Sequence, residues 1–145
     1  KKMRTYYIFK INSIYSYYYR NRPYRIYKLL EEVYNMKSTS LEEGYKLFEE
    51  IALFLKPSVL NEYIYYNSKN EQGYQDEGNN HIYKEGEEYT KMQIKKSTIK
   101  LTSNINYPHF FDELAGYGEN LFVCDFENKD YFWLYKIASK ELTSV

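Results

Sequence analysis

At 145 residues, with 43% hydrophobic side chains, the chain has the length and apolar content of a single domain over residues 1–145 with one contiguous core. Twenty basic residues balance 20 acidic ones, so there is no basic excess of the kind that a phosphate-binding surface carries, and direct nucleic-acid binding is not expected. The longest apolar runs, Ile51 to Leu55 and Leu121 to Cys124, fall far below the roughly 20 residues that span a bilayer.

The short aromatic stretch Tyr6 to Ile11 leads into Asn12 and Ser13 and lacks the pattern of a secretory signal, so a cytoplasmic protein with no membrane span is expected. Lys1 and Lys2 precede Met3 and are assigned no role. Cys124, the lone cysteine, cannot form an internal disulfide and reads as a buried, inert thiol. The 20 tyrosines fit the codon usage of an A+T-rich genome, so only particular tyrosine positions carry an argument.

Thr5 to Ile11, dense in aromatic and β-branched residues, predicts a buried strand, after which Ser13 is placed to cap a helix. Ile14, Tyr15, Tyr18 and Tyr19 recur at helical spacing, and Pro23 suits the first turn of a second helix with Ile26, Leu29, Leu30, Val33 and Met36 as its apolar stripe. Ser40 and Glu43 form a capping box ahead of a third helix with Leu41, Tyr45, Phe48, Ala52 and Leu55 on one face, ended by Pro57. Leu60, Tyr63 and Ile64 mark a further short helix within Val59 to Tyr66.

The polar stretch from Asn67 to Asn80 predicts an exposed loop. Beyond it, Tyr83, Met92, Ile94, Ile99 and Leu101 mark a meander of short strands turning at Glu85-Gly86-Glu87 and Lys95-Lys96-Ser97. Tyr107-Pro108 opens a short helix carrying Phe110, Phe111 and Leu114, closed by Gly116 and Gly118. Leu121 to Phe126 and Tyr131 to Tyr135 pair as a hairpin around Glu127 to Asp130. Helices and strands are segregated, which predicts an α+β fold with a mainly antiparallel sheet in the order strand, helices, meander, helix, hairpin.

The residues offer little chemistry. Neither His81 nor His109 has a second histidine or a cysteine at metal-ligand spacing, so no zinc or iron site is expected. Asp125 beside Cys124 points to the opposite face of a strand, and nothing local orients His81 toward that thiol. The paired acids Glu31-Glu32, Glu42-Glu43, Glu49-Glu50 and Glu87-Glu88 read as solvated faces. Lys91, Lys95, Lys96 and Lys100 cluster on the meander, but strand alternation is expected to split them between faces, with Glu85, Glu87 and Glu88 close by. What remains is the first helix, where Ile14, Tyr15, Tyr18 and Tyr19, adjoined by Tyr17, Arg20 and Arg22, exceed one core-facing stripe. Tyr and Arg are enriched at interface hot spots, although core packing of Tyr15, Tyr18 and Tyr19 is equally compatible with the pattern.

These landmarks resemble the sporulation inhibitor of replication proteins, the SirA family. Phe110-Phe111 and Leu114 match its FF-x-x-L pattern, and Asp125-Phe126, Lys129, Tyr131 and Trp133-Leu134 match DF-x-x-K-x-Y-x-W-L. Tyr6-Tyr7, Tyr15, Tyr19, Arg22 and Leu29 agree at the N-terminal end, Met92, Ile94 and Ile99 suit the central meander, and residues 61–80 depart from the pattern. The resemblance implies a non-enzymatic regulator, without a cofactor, that binds the N-terminal domain of the replication initiator DnaA and restrains chromosome replication during sporulation. It also implies that Tyr15 and Tyr19 contact the initiator, with Tyr18 at the edge of the patch, Arg22 at its rim, and a second patch near Gly44, Lys46 and Leu47. The competing readings are a nucleic-acid-binding regulator, an interaction module with another partner, and a small enzyme, which would need a concave pocket with convergent polar groups.

Overall fold

The computed structural model describes residues 2–36 and 41–137. Its elements in chain order are β1 (Arg4–Ile11), α1 (Ser13–Tyr19), α2 (Pro23–Tyr34), α3 (Leu41–Ile51), β2 (Ala52–Leu53), α4 (Pro57–Ser68), β3 (Tyr74–Glu77), β4 (Asn80–Glu85), β5 (Glu88–Ile94), β6 (Ile99–Ser103), α5 (Phe110–Ala115), β7 (Leu121–Asp125) and β8 (Asp130–Trp133). Among the described residues the strands form one antiparallel sheet in the order β3-β4-β5-β6-β1-β7-β8. The expected α+β class, the meander and the terminal hairpin are all present.

β1 runs inside the sheet between β6 and β7 and buries residues on both faces, so its alternation sorts the core into two layers. Tyr6 and Ile8 join Met92, Leu101 and Val123 beneath α4 and α5, which contribute Leu60, Ile64, Phe110, Phe111 and Leu114. Phe9 and Ile11 face the other way and meet Phe122 and Trp133 beneath α2 and α3, which contribute Ile26, Tyr27, Leu30, Phe48 and Ile51. Cys124 is buried in this second layer.

Four local expectations are corrected. Asn12, not Ser13, caps α1, its side chain accepting from the Tyr15 N–H at 2.9 Å. The third helix does not run on to Pro57. It stops at Ile51, Ala52 and Leu53 pair with Ile11 and Lys10 where β6 has ended, and Pro57 opens α4 instead of closing α3.

The inward face of α3 is also displaced. Tyr45 is 59% exposed, while Gly44 is buried, and a Cβ there would stand 3.1 Å from the Met36 sulfur, so glycine leaves room for the Met36 side chain just beyond α2 to pack against α3. The proposed cap Ser40 lies outside the described residues.

The stretch from Asn67 to Asn80 is not a loop. Ser68 ends α4, and β3 extends the sheet beyond β4. Gly73 makes that possible: at φ 95° it holds a backbone conformation open to few other residues, and a Cβ would fall 2.4 Å from the Lys84 carbonyl oxygen. Tyr74 packs against the core layer of α4 and α5.

Candidate partner-binding surface

α1 is seven residues long and cannot be stable alone, so its orientation rests on contacts at both ends. At its start, Asn12 caps the helix and also donates from Nδ2 to the Glu50 carbonyl at 2.6 Å, while the Asn12 backbone N–H donates to the Ile51 carbonyl at 2.9 Å. At its end, the Arg20 guanidinium lies 4.7 Å from the centre of the Trp133 ring and donates to Asn120 Oδ1 at 2.8 Å. Arg20 is thereby a structural residue of the α1–α2 turn.

Between these anchors the helix divides by face. Ser16 is buried. Tyr15 and Tyr19 are half-buried against the α2–α3 core layer with ring centroids 5.4 Å apart, and the Tyr15 hydroxyl donates to Glu50 Oε1 at 3.3 Å. Burial and the Glu50 carboxylate raise the Tyr15 phenol above its ordinary range. Ile14, Tyr17 and Tyr18 form the outer face, 68%, 80% and 70% exposed. The resemblance centres the patch on Tyr15 and Tyr19 with Tyr18 at the edge, whereas Tyr17 and Tyr18 offer the open ring area. Helical spacing groups Ile14 and Tyr18 with Tyr15 and Tyr19 but does not tell which of two neighbouring stripes faces the core, so it gives Tyr17 no place on the outer face.

Arg22 is exposed in the turn before α2, Lys46 is exposed on α3, and Leu47 is half-buried against the same core layer. Glu50, which holds Tyr15 and accepts from Asn12, lies three residues from Leu47 and four from Lys46, so these α3 residues share a helical stripe bordering α1. The two patches named by the resemblance therefore adjoin.

Elsewhere, Lys91 and Lys100 are not split between faces. Lys91 pairs with Thr102, and Gln93 with Lys100, so strand alternation puts both lysines on one face of the meander, which also carries Lys84 opposite Tyr89. A groove of about 320 Å³ between α2, α3 and β1 is lined by side chains such as Phe9, Tyr34, Phe48 and Phe54, with Ser97 and Thr98 as its aliphatic hydroxyls. On the opposite side of the sheet, His109 Nε2 stands 3.1 Å from Glu71 Oε2 and 3.2 Å from Glu113 Oε1. A search for histidine and cysteine partners overlooks this cluster because the other two members are carboxylates, one of them four residues along the same chain.

The family model described as sporulation inhibitor of replication protein SirA matches residues 4–138, nearly the whole chain. The chain belongs to the SirA family. A comparison with curated proteins finds no match. SirA membership makes the chain a regulatory inhibitor of replication by family and implies a protein partner. It agrees with a surface whose notable features are aromatic and apolar. Among the described residues, no helix is long and apolar enough to cross a membrane.

Proposed function

We propose that this SirA-family chain restrains chromosome replication during sporulation by binding the N-terminal domain of the initiator DnaA, without catalysis. The contact surface is α1, with Tyr15, Tyr18 and Tyr19 joined by Ile14 and Tyr17, Arg22 at the rim, and Lys46 and Leu47 on the adjoining stripe of α3. One observation supports this reading above the others: three large side chains, Ile14, Tyr17 and Tyr18, stand 68–80% exposed on a short helix that is held firmly at both ends. Exposed apolar side chains on a rigid element lose little entropy on docking, and tyrosine supplies contact area together with a hydrogen-bonding tip. The inhibitor then works by mass action, covering a surface that the initiator needs and acting in proportion to its concentration relative to Kd.

Calorimetric titration of the chain with the purified DnaA N-terminal domain tests this. Saturable one-to-one binding is expected, persisting at high salt because the contact is mainly apolar. Absence of heat at high micromolar concentration would refute the DnaA reading. The lysine-bearing face of the meander supports a second reading, nucleic-acid binding, through Lys84, Lys91 and Lys100. Such binding would weaken steeply with salt, so titration of single-stranded DNA at two salt concentrations separates the two.

A further inference from the structure

The face of the sheet away from α1 holds a group of side chains that partner binding leaves unexplained. Glu71 lies in the turn between α4 and β3, and His109 and Glu113 stand four residues apart at the start of α5 and within it. One ligand atom from each falls within 4.8 Å of the others. His109 Nε2 is the meeting point, 3.1 Å from Glu71 Oε2 and 3.2 Å from Glu113 Oε1. We propose that Glu71, His109 and Glu113 form a binding site for a divalent transition-metal ion of the zinc class, which clips α5 to the α4–β3 turn.

The geometry supports this in three ways. Around a tetrahedral ion with bonds of about 2.0–2.1 Å, neighbouring donor atoms stand about 3.3–3.4 Å apart, so the two distances from His109 Nε2 need only a slight opening, and the third pair lies within 4.8 Å. The donors are also held in place. The His109 ring stacks on Tyr83 with centroids 3.8 Å apart and planes 7° apart, and its backbone N–H donates to Glu88 Oε2 at 2.9 Å. The Ser68 hydroxyl lies 2.6 Å and 2.7 Å from the two oxygens of Glu113 and donates to that carboxylate. Aromatic and hydroxyl supports of this kind orient metal ligands from behind.

Charge is the third argument. Among the described residues no lysine or arginine forms a salt bridge with Glu71 or Glu113, and both carboxylates face a single imidazole. An imidazolium balances only one of the two carboxylates, and a proton shared between Glu71 and Glu113, which hydrogen-bond each other, must neutralise the second, in a cluster whose His109 and Glu113 side chains are only 20% and 12% exposed. A divalent cation with neutral His109 balances it completely. Imidazole with two carboxylates is a donor set that suits zinc and its first-row neighbours, and water completes the coordination. The site lies on the opposite sheet face from α1, so it stands or falls independently of the DnaA reading.

The test is titration of the chelator-treated chain with zinc chloride by calorimetry, with Co2+ absorption as a second readout. One ion per chain is expected, with tetrahedral visible bands for Co2+ and a higher thermal midpoint. His109→Phe keeps the stack on Tyr83 and removes the nitrogen ligand, and Glu71→Gln changes a residue at the open side of the site. Each should weaken binding at least about a hundredfold, and Ser68→Ala about tenfold or more, in line with the loss of an orienting group. No saturable heat at millimolar zinc would reduce the cluster to a plain imidazolium–carboxylate contact and overturn the proposal. So would unchanged zinc binding in both His109→Phe and Glu71→Gln.

Discussion

The indole N–H of Trp133 donates to the Arg20 carbonyl at 3.0 Å, and the guanidinium of the same Arg20 lies 4.7 Å from the centre of the indole ring. Trp133 is 1% exposed and meets Phe122 edge-on at 5.0 Å, so one side chain joins the terminal hairpin to the turn that aims α1. Trp133→Ala should therefore cost about 3–5 kcal/mol of stability. Urea denaturation measures it. A variant with parental stability that had lost only partner binding would contradict this structural role. Phe126 belongs to the same aromatic layer, stacked on Tyr34 at 4.3 Å and Tyr27 at 5.8 Å.

Asp125 is the charged end of the same hairpin. It is 1% exposed, accepts from Arg4 Nε at 2.9 Å, and takes both the backbone N–H and the side-chain amide of Asn128. Burial favours its neutral form, but the Asn128 and Arg4 bonds outweigh that and hold the carboxyl below its ordinary range. Asp125→Ala should cost about 3 kcal/mol, the lower end for a broken buried pair, because Arg4 keeps Asp130. Since the folded pKa is depressed, the stability Asp125 contributes is present above the unfolded value of 3.8 and lost as pH falls through the folded one. Asp125→Asn should accordingly flatten the acid limb of a stability–pH curve.

Tyr74 and His81 carry the pH prediction. The Tyr74 hydroxyl is 2.7 Å from His81 Nδ1, and His81 Nε2 is 2.7 Å from Asn61 Oδ1. An amide oxygen only accepts, so Nε2 carries the proton and Nδ1 accepts from Tyr74. Burial holds the His81 pKa below its ordinary 6.5, against the opposing charges of Asp76, its cross-strand neighbour, and Glu113. Between the folded pKa and 6.5 this site binds a proton in the unfolded chain that it does not bind in the native one, so the stability His81 contributes rises with pH through that window and is constant above it. The difference in urea midpoint between the parent and His81→Gln should widen as pH rises toward 6.5 and then hold constant, which separates it from the opposite slope of His109, whose pKa its carboxylate neighbours raise against burial.

Replacing Lys69 to Asp76 with a Gly/Ser linker follows from the same contacts. The exchange removes Tyr74 from the core and breaks the Lys84 N–H bond to the Gly73 carbonyl at 2.9 Å. A clear drop in thermal midpoint is expected. Tyr74→Phe, which deletes only the hydroxyl and leaves Nδ1 buried without a donor, should cost about 1–3 kcal/mol. A linker variant as stable as the parent would mean that β3 contributes nothing to the fold.

That segment marks where the sequence stopped being legible. The meander was readable because its apolar residues alternate with period two, as Met92 and Ile94 or Ile99 and Leu101 do, whereas β1 and β7 were readable as short dense apolar runs, which suits strands buried on both faces. β3 was hidden because an edge strand needs little burial, and Tyr74 alone anchors Gln75, Asp76 and Glu77. Tyr27 escaped the predicted stripe of α2 since its hydroxyl binds Glu31 at 2.9 Å while its ring is buried, a pairing that composition cannot foresee. For the candidate surface, the sequence named the right helix, but the division between half-buried Tyr15 and Tyr19 and exposed Tyr17 and Tyr18 depends on how Asn12 and Arg20 rotate α1.

That division yields the sharpest test of the proposed function. Tyr18 is 70% exposed and among the described residues its ring meets Tyr17 alone, edge-on at 5.2 Å, so Tyr18→Ala should change stability by no more than about 0.5 kcal/mol. If the outer face of α1 meets DnaA, the same change should cost about 2 kcal/mol of binding, roughly a thirtyfold rise in Kd. Tyr15→Ala differs, because it removes the packing on Tyr19 and the bond to Glu50, and should lower the thermal midpoint as well as affinity. Tyr15→Phe separates the two effects by keeping the ring and deleting the hydroxyl. Arg22→Ala, at the rim, should slow association and sharpen nothing else, since an exposed charge acts mainly on the on-rate. Melting curves beside calorimetric titrations of the four variants decide the matter: full affinity in Tyr18→Ala would remove the outer face of α1 from the interface.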